Sequence, residues 1–212
     1  MNDKDDKDNK DSKDDRELKG FIPVHGGYKN LKSYQKAEIV FDGTVYFTNR
    51  FFKKPDRTID QMVQAARSGK QNIAEGSVAS ATSKEMEIKL TNVARASLEE
   101  LKEDYEDFLR THNLPVWEKT HKLALRLREL NKIPDATYET FRKGIENESP
   151  EICANVLRGL VKVSLYLLGE QIKSLEQAFL KEGGLRERMT KARLESRKGQ
   201  QGQQGQQGRQ GQ

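Results

Sequence analysis

The sequence has 212 residues, with 38 Lys and Arg against 33 Asp and Glu, a net charge of +5 and a hydrophobic fraction of only 34%. This composition is too polar for one compact domain of that length. The ends account for the deficit, because residues 1–20 contain two apolar side chains, Met1 and Leu18, and residues 199–212 contain none. The middle is long enough to bury one core without a disulfide or a metal.

Both ends are predicted to be disordered tails. Residues 1–20 alternate Lys with Asp and cannot offset the entropy of ordering. Residues 199–212 repeat Gly with Gln between, which is typical of a flexible linker. The N-terminal sequence has neither the apolar stretch of a signal peptide nor an Arg-rich transit pattern, so we expect a cytoplasmic protein.

The single cysteine and the longest apolar run exclude several classes of protein. Cys153 is the single cysteine, which excludes an intramolecular disulfide framework and a thiolate zinc cluster, and its apolar helical surroundings predict a buried packing residue. The apolar run at about 157–168 is interrupted by Arg158 and Lys162. We therefore expect no membrane span.

Apolar periodicity predicts two long helices before residue 77. The first begins after Asn30 and ends before Pro55, with apolar residues at Tyr34, Ala37, Phe41, Val45 and Phe52. The second begins with a capping box of Thr58 and Gln61 and ends with Gly76 as a C-cap. Its apolar stripe comprises Ile59, Met62, Val63, Ala66 and Ile73.

A third helix follows a turn of small residues at 77–82. A capping box of Thr82 and Glu85 starts it, and it runs to about Asn113. Its apolar residues recur every three or four positions, at Leu90, Val93, Ala94, Leu98, Leu101, Tyr105 and Phe108.

The last core helix begins with Ser149 as N-cap and Pro150 in its first turn, and Gly183 and Gly184 end it. Its main stripe approaches heptad spacing and comprises Leu157, Leu160, Val161, Ser164, Leu168, Ile172, Leu175 and Phe179. A second apolar row lies on another face, at Val156, Val163 and Leu167. Two apolar faces indicate a helix that is central in a bundle or that also contacts another subunit.

These elements predict an all-α protein. Its core is an antiparallel four-helix bundle over residues 28–184, with a helical insertion at about 115–148 that holds two short helices, 116–132 and 137–146. Residues 185–198 are predicted to be a basic helical extension.

Three short motifs carry a resemblance to a known family: Asn72-Ile73-Ala74-Glu75-Gly76, Ser83-Lys84-Glu85 and the run from Ala94 to Leu101. Together they resemble the four-helix-bundle proteins encoded in intervening sequences of bacterial 23S rRNA genes, a family that includes accessory proteins of diversity-generating retroelements. The resemblance covers about residues 31–110, and the longer chain looks like a larger subgroup.

The resemblance implies an antiparallel bundle that assembles into a pentameric ring with a basic surface. It also implies a role in binding RNA or DNA, or a partner that acts on them. Family members often carry paired arginines where this chain has Val63 and Gln64, and the basic charge appears instead at Arg67 and Lys70.

Catalytic patterns are missing from the sequence. It has no Glu-x-x-His pair, no phosphate-cradling Gly-rich loop, no nucleophile elbow and no paired-Cys motif. We therefore predict a protein without enzymatic activity, cofactor or metal.

The polar residues Asn72 and Glu75, near the end of the second helix, have a local explanation. We expect Asn72 and Glu75 to close the second helix, in preference to contacting a ligand. A turn near Ala79 and Ser80 would place Glu75 opposite Lys84 and Arg95 near Gln61 and Gln64. From there Arg95 can pair with Asp60, reach a neighbouring subunit or touch a phosphate, and the sequence leaves these open.

Two basic clusters are candidate nucleic-acid-binding surfaces, although basic residues are usually a solvated face. The hairpin cluster comprises Arg67, Lys70, Lys84 and Lys89. The tail cluster comprises Arg186, Arg188, Lys191, Arg193, Arg197 and Lys198. We expect the hairpin cluster to contribute more, because charges on a rigid element lose less side-chain entropy on binding.

Two functions remain open. The first is an oligomeric accessory protein that binds RNA or DNA, and the alternative is a ring-forming scaffold that recruits another protein and binds little or no nucleic acid. In both cases the two apolar faces of the last helix and the resemblance predict a homo-oligomer, with a pentamer favoured.

Overall fold

A computed structural model describes residues 27–184, 186–187, 189–195 and 197. The predicted tails at 1–20 and 199–212 lie outside these residues. Residues 27–184 form a short 3-10 helix, Tyr28–Asn30, and six α-helices: α1 Lys32–Phe51, α2 Arg57–Ala79, α3 Lys84–Thr111, α4 Lys122–Leu130, α5 Tyr138–Ile145 and α6 Pro150–Glu182. The described part of the chain contains no β-strand, and the prediction of an all-α protein is confirmed.

The four long helices enclose the core. Helix α1 packs on α2 and α6, and α3 packs on the same two helices. Across the centre, the Phe47 ring on α1 lies 5.1 Å from the Tyr105 ring and 4.8 Å from the Phe108 ring of α3. The hydroxyls of Thr44 and Tyr105 are 2.9 Å apart, so the one buried phenol in this layer has a hydrogen-bond partner.

Both capping boxes predicted for the hairpin helices are wrong by one or two residues. Asp56 caps α2 by accepting a hydrogen bond from the Thr58 backbone amide at 2.9 Å. Ser83 caps α3 by accepting one from the Met86 amide at 3.1 Å. Asp and Ser are at least as favourable as Thr at the N-cap. The capping-box motif alone therefore could not decide between neighbouring candidates for the N-cap.

Gly76 does not cap α2, which continues to Ala79. A Cβ at Gly76 would lie 3.4 Å from the Glu87 carbonyl oxygen, so the glycine permits α3 to approach the α2 backbone closely. The extra turn of α2 shifts the register of the hairpin. Gly76 packs against Glu87 and Thr91 of α3, and Gly69 packs against Leu98. The predicted positions of Glu75 opposite Lys84, and of Arg95 near Gln61 and Gln64, are therefore wrong.

The predicted insertion forms α4 and α5, which pack on α6, and α5 also contacts α1. Val156 of the second apolar row is buried under Gly144 of α5, and Val163 and Leu167 line a small cavity with Ile133 and other residues of the α4–α5 connection. The insertion thus buries Val156 and leaves Val163 and Leu167 partly exposed.

Helix α6 begins as predicted, with the Ser149 side chain accepting from the Ile152 amide and Pro150 in the first turn. Cys153 is fully buried, as predicted, and its thiol donates to the Ile145 carbonyl oxygen at 2.7 Å. Among the described residues, the segment Pro150–Lys181 alone is long and apolar enough to cross a membrane. Half of its most apolar window is buried against the rest of the protein, as in a core helix.

Candidate nucleic-acid interface

The hairpin cluster is spread over the α2–α3 hairpin. Arg67 and Lys89 are exposed. Lys70 is half-buried with its Nζ 4.4 Å from the centre of the Phe41 ring on α1, and Lys84 forms an ion pair with Glu87 at 3.7 Å. Two of the four cations are therefore already engaged inside the protein.

The register of the hairpin also separates these cations along its axis. Because Gly69 lies at Leu98, Arg67 is level with the middle of α3, whereas Lys84 begins that helix. At 1.5 Å per residue, the two are about 20 Å apart. Residues 57–111 carry eight basic and ten acidic side chains, a net charge of −2. The hairpin does not bring its cations into one basic surface.

The remaining hairpin candidates are polar residues with local roles. The Asn72 amide donates to the Ser68 carbonyl oxygen one turn earlier, at 2.9 Å, which agrees with a structural function for Asn72. Glu75 and Arg95 are exposed, and neither has an ion-pair partner within 4.0 Å among the described residues. The pairing of Arg95 with Asp60 is therefore not observed.

The tail cluster meets the hairpin cluster at one point. Arg186, Lys191, Arg193 and Arg197 are exposed, whereas Arg188 and Lys198 lie outside the described residues. Arg186 lines a groove with Lys84, and Glu85 and Glu187 line it as well. Two cations and two carboxylates give this groove no net charge, which makes it a poor site for a polyanion.

A third basic surface lies between α4 and α6, and the sequence motifs did not identify it. This surface, the α4–α6 groove, has a volume of about 280 Å³. Four cations surround it: Lys119, Arg128, Arg158 and Lys162. Its floor is mostly apolar and includes Trp117, Leu127 and Val163, and Glu118 is the one acidic residue that lines it.

Hydrogen bonds fix the walls of the α4–α6 groove. Asn155 of α6 is buried; its side-chain oxygen accepts from the Trp117 amide at 2.9 Å, and its nitrogen donates to the Pro115 carbonyl oxygen at 2.9 Å. The Trp117 indole donates to Glu151 at 2.9 Å. At Gly159 any side chain would overlap Leu127, so the glycine sets how closely α4 lies on α6.

The cations of the groove influence one another. Burial lowers the pKa of Lys162, and the charges of Arg158, Lys102 and Lys119 lower it further, while Glu106 acts in the opposite direction. Glu106 accepts a hydrogen bond from Arg158 Nε at 2.7 Å. Like charges held together in this way destabilise the empty groove and favour an anion beside them.

Two signals in the sequence pointed to this groove. Residues 115–132 carry five basic and two acidic side chains, a net charge of +3. Arg158 and Lys162 interrupt the longest apolar run of α6, a feature that had served only to exclude a membrane span. Their convergence depends on α4 folding back on α6, some 30 residues later in the chain, which no local motif encodes.

Comparison with known proteins adds no relative: no protein-family model matches the chain, and no curated protein or solved structure matches it significantly. The family resemblance of the three motifs stays a prediction.

Proposed function

We propose that this protein is a non-enzymatic nucleic-acid-binding accessory protein and that the α4–α6 groove is its binding surface. The observation that supports this most directly is the meeting of Lys119, Arg128, Arg158 and Lys162 around one groove with a single acidic residue in its lining. Phosphate groups of a nucleic-acid backbone match such a surface in charge and need no sequence readout.

The groove combines one fixed cation with three exposed ones. The Arg158 side chain is only 12% exposed and paired with Glu106, whereas the side chains of Lys119, Arg128 and Lys162 are exposed. Side chains that are already ordered lose less entropy on binding than free surface lysines. Exposed Lys119 and Arg128 can then adjust to the path of the strand.

The proposal includes the wider architecture. An antiparallel four-helix bundle, of the type that the resemblance implies, is supported by the order of the helix contacts. Between α2 and α3, Gly69 meets Leu98 and Gly76 meets Thr91, and between α1 and α6, Ser33 meets Gln171 and Gly43 meets Leu157. In each pair, residues later in the first helix meet residues earlier in the second. We further propose a cytoplasmic homo-oligomer, with a pentamer favoured by the resemblance.

A protein-binding scaffold is the second candidate. The hairpin exposes three apolar side chains, Val78, Met86 and Val93, which are 49%, 44% and 45% exposed. Apolar residues at this exposure on neighbouring helices favour a protein contact, with another subunit or with a different partner.

Fluorescence anisotropy of a single-stranded 20-mer across a salt series tests the proposed function. Changing Lys119, Arg128 and Lys162 to Gln removes three groove cations and should reduce the slope of log K against log salt by about 2, since each phosphate contact contributes about 0.7. Arg67→Gln, Lys89→Gln and Arg95→Gln together form a matched control that removes three exposed hairpin cations and should leave the slope nearly unchanged.

Each other outcome has a definite meaning. If the hairpin variant loses the salt dependence and the groove variant keeps it, nucleic acid binds the hairpin. If the unmodified protein shows no salt-dependent binding of RNA or DNA, the nucleic-acid proposal fails and the scaffold takes its place.

A further inference from the structure

A second cavity lies beside the α4–α6 groove, enclosed by α4, α5 and α6, and the nucleic-acid proposal makes no use of its charged residues. Its volume is about 390 Å³, within the range of small-molecule sites. Apolar side chains form most of the lining, including those of Leu130, Phe141 and Val156. Phe141 and Val156 are 2% and 7% exposed, so these walls belong to the packed core.

The rim of this cavity carries a small number of charges. Arg126 of α4 and Lys143 of α5 line it, together with Glu139. Glu139 forms an ion pair with Arg142, which lies outside the cavity, at 2.8 Å. Among the described residues, neither Arg126 nor Lys143 has an acidic partner within 4.0 Å. The lining charge is +1, with two cations open to a ligand.

This combination selects one class of ligand. A monoanion balances a lining charge of +1, whereas a phosphate monoester brings about two negative charges. An Arg guanidinium matches a carboxylate with two parallel hydrogen bonds. The apolar walls exclude a fully polar anion, because its remaining polar groups would lose water without gaining partners.

We propose that the cavity between α4, α5 and α6 binds a small apolar carboxylate, with its carboxylate between Arg126 and Lys143 and its hydrocarbon body against Leu130, Phe141 and Val156. The volume accommodates a body of roughly ten carbon atoms. The charged residues of this site are not those of the α4–α6 groove, although Trp117 and Leu127 line both.

Trp117 is the only tryptophan of the chain and lines this cavity, so its fluorescence reports on binding. Titration with decanoate below its micelle-forming concentration should give a saturable change. Changing Arg126 and Lys143 to Gln should raise the Kd for decanoate about tenfold, since the carboxylate loses both partners. Both residues are exposed, and their replacement leaves the core intact. Decanol, which lacks the charge, should bind both proteins equally.

Trp117 also lines the α4–α6 groove, and a second variant separates the two sites. Changing Lys119 and Lys162 to Gln removes two groove cations and should leave the decanoate Kd unchanged. The proposal is wrong if decanoate gives no saturable change, if the Arg126 and Lys143 variant binds it as tightly as the unmodified protein, or if the groove variant is the one that weakens binding.

Discussion

The α2–α3 hairpin and the α4–α5 insertion differ in how they arrange their basic residues. The hairpin has small residues at its interface, where Gly69 meets Leu98 and the Ser68 and Ser97 hydroxyls lie 3.0 Å apart, and its cations are spread along the helix axis. The insertion packs through few contacts, but its cations face those of α6 across a groove. Close packing of helices and convergence of charge are thus separate properties.

The difference shows that closeness in sequence does not by itself bring cations into one surface. Arg67, Lys70, Lys84 and Lys89 lie within 23 residues of each other, yet the helix axis spreads them apart. Lys119 and Lys162 are 43 residues apart in sequence and line one groove. A basic surface depends on the register of the helices and on how later helices pack against earlier ones, so it is set by the tertiary structure.

Overpacking the hairpin should produce the largest effect. A Cβ at Gly69 would lie 2.7 Å from Leu98 Cδ2, and Leu98 is fully buried. Gly69→Leu should therefore lower the free energy of unfolding by about 3 kcal/mol, measured by urea denaturation. Gly169→Leu is the matched control, because a Cβ there meets nothing within 4 Å, and it should stabilise the protein slightly. Equal effects at both positions would mean that the hairpin is not closely packed.

Overpacking the insertion should have a smaller and more local effect. Gly159→Val would displace Leu127 and lift α4 from α6, with an expected loss of about 2 kcal/mol. Hydrogen exchange should increase mainly in residues 122–130, while the amides of α2 and α3 keep their protection. A uniform increase over all helices would show that the insertion and the hairpin unfold as one unit.

The acidity of the hairpin should appear as a pH dependence. Burial, aided by the negative charges of Glu100, Asp107 and Glu103, raises the pKa of Asp104 to about 6. The folded state then binds the proton more tightly than the unfolded state, so this group makes the protein more stable as the pH falls from about 6 towards 4.

Asp104→Asn should therefore stabilise the protein at pH 7 by about 1 kcal/mol, and the gain should disappear near pH 4. Chemical denaturation at both pH values measures it. Glu75→Gln removes an exposed carboxylate that does not act on Asp104, and it serves as the control. A gain for Asp104→Asn that persists at pH 4 would point to a cause other than the ionised carboxylate.

Local signals in the sequence were enough for most of the fold. The pair Ser149 and Pro150 placed the start of α6 correctly, because an N-cap and a first-turn proline act within four residues. The same kind of signal failed at Thr58 and Thr82, where Asp56 and Ser83 offered equally good caps close by. The periodicity of apolar residues was enough to predict that the helices exist. Their exact ends depended on which of several nearby side chains acts as the cap.

Long-range contacts accounted for the remaining errors. Gly76 is typical of a helix end by its residue type, but the close approach of α3 keeps it inside α2. The second apolar row of α6 left open a central place in the bundle or a contact with another subunit, and the structure places Val156 of that row under α5. In both cases the partner lies in a different element, and its position follows only from the packed structure.

The buried thiol of Cys153 allows the opening of the insertion to be measured as a labelling rate. Burial raises its pKa to about 12, and its hydrogen bond to Ile145 ties α6 to the end of α5. At neutral pH the folded protein offers almost no thiolate to a reagent. A thiol reagent can react only after α5 separates from α6, so the labelling rate of this one sulfur counts the openings of that interface.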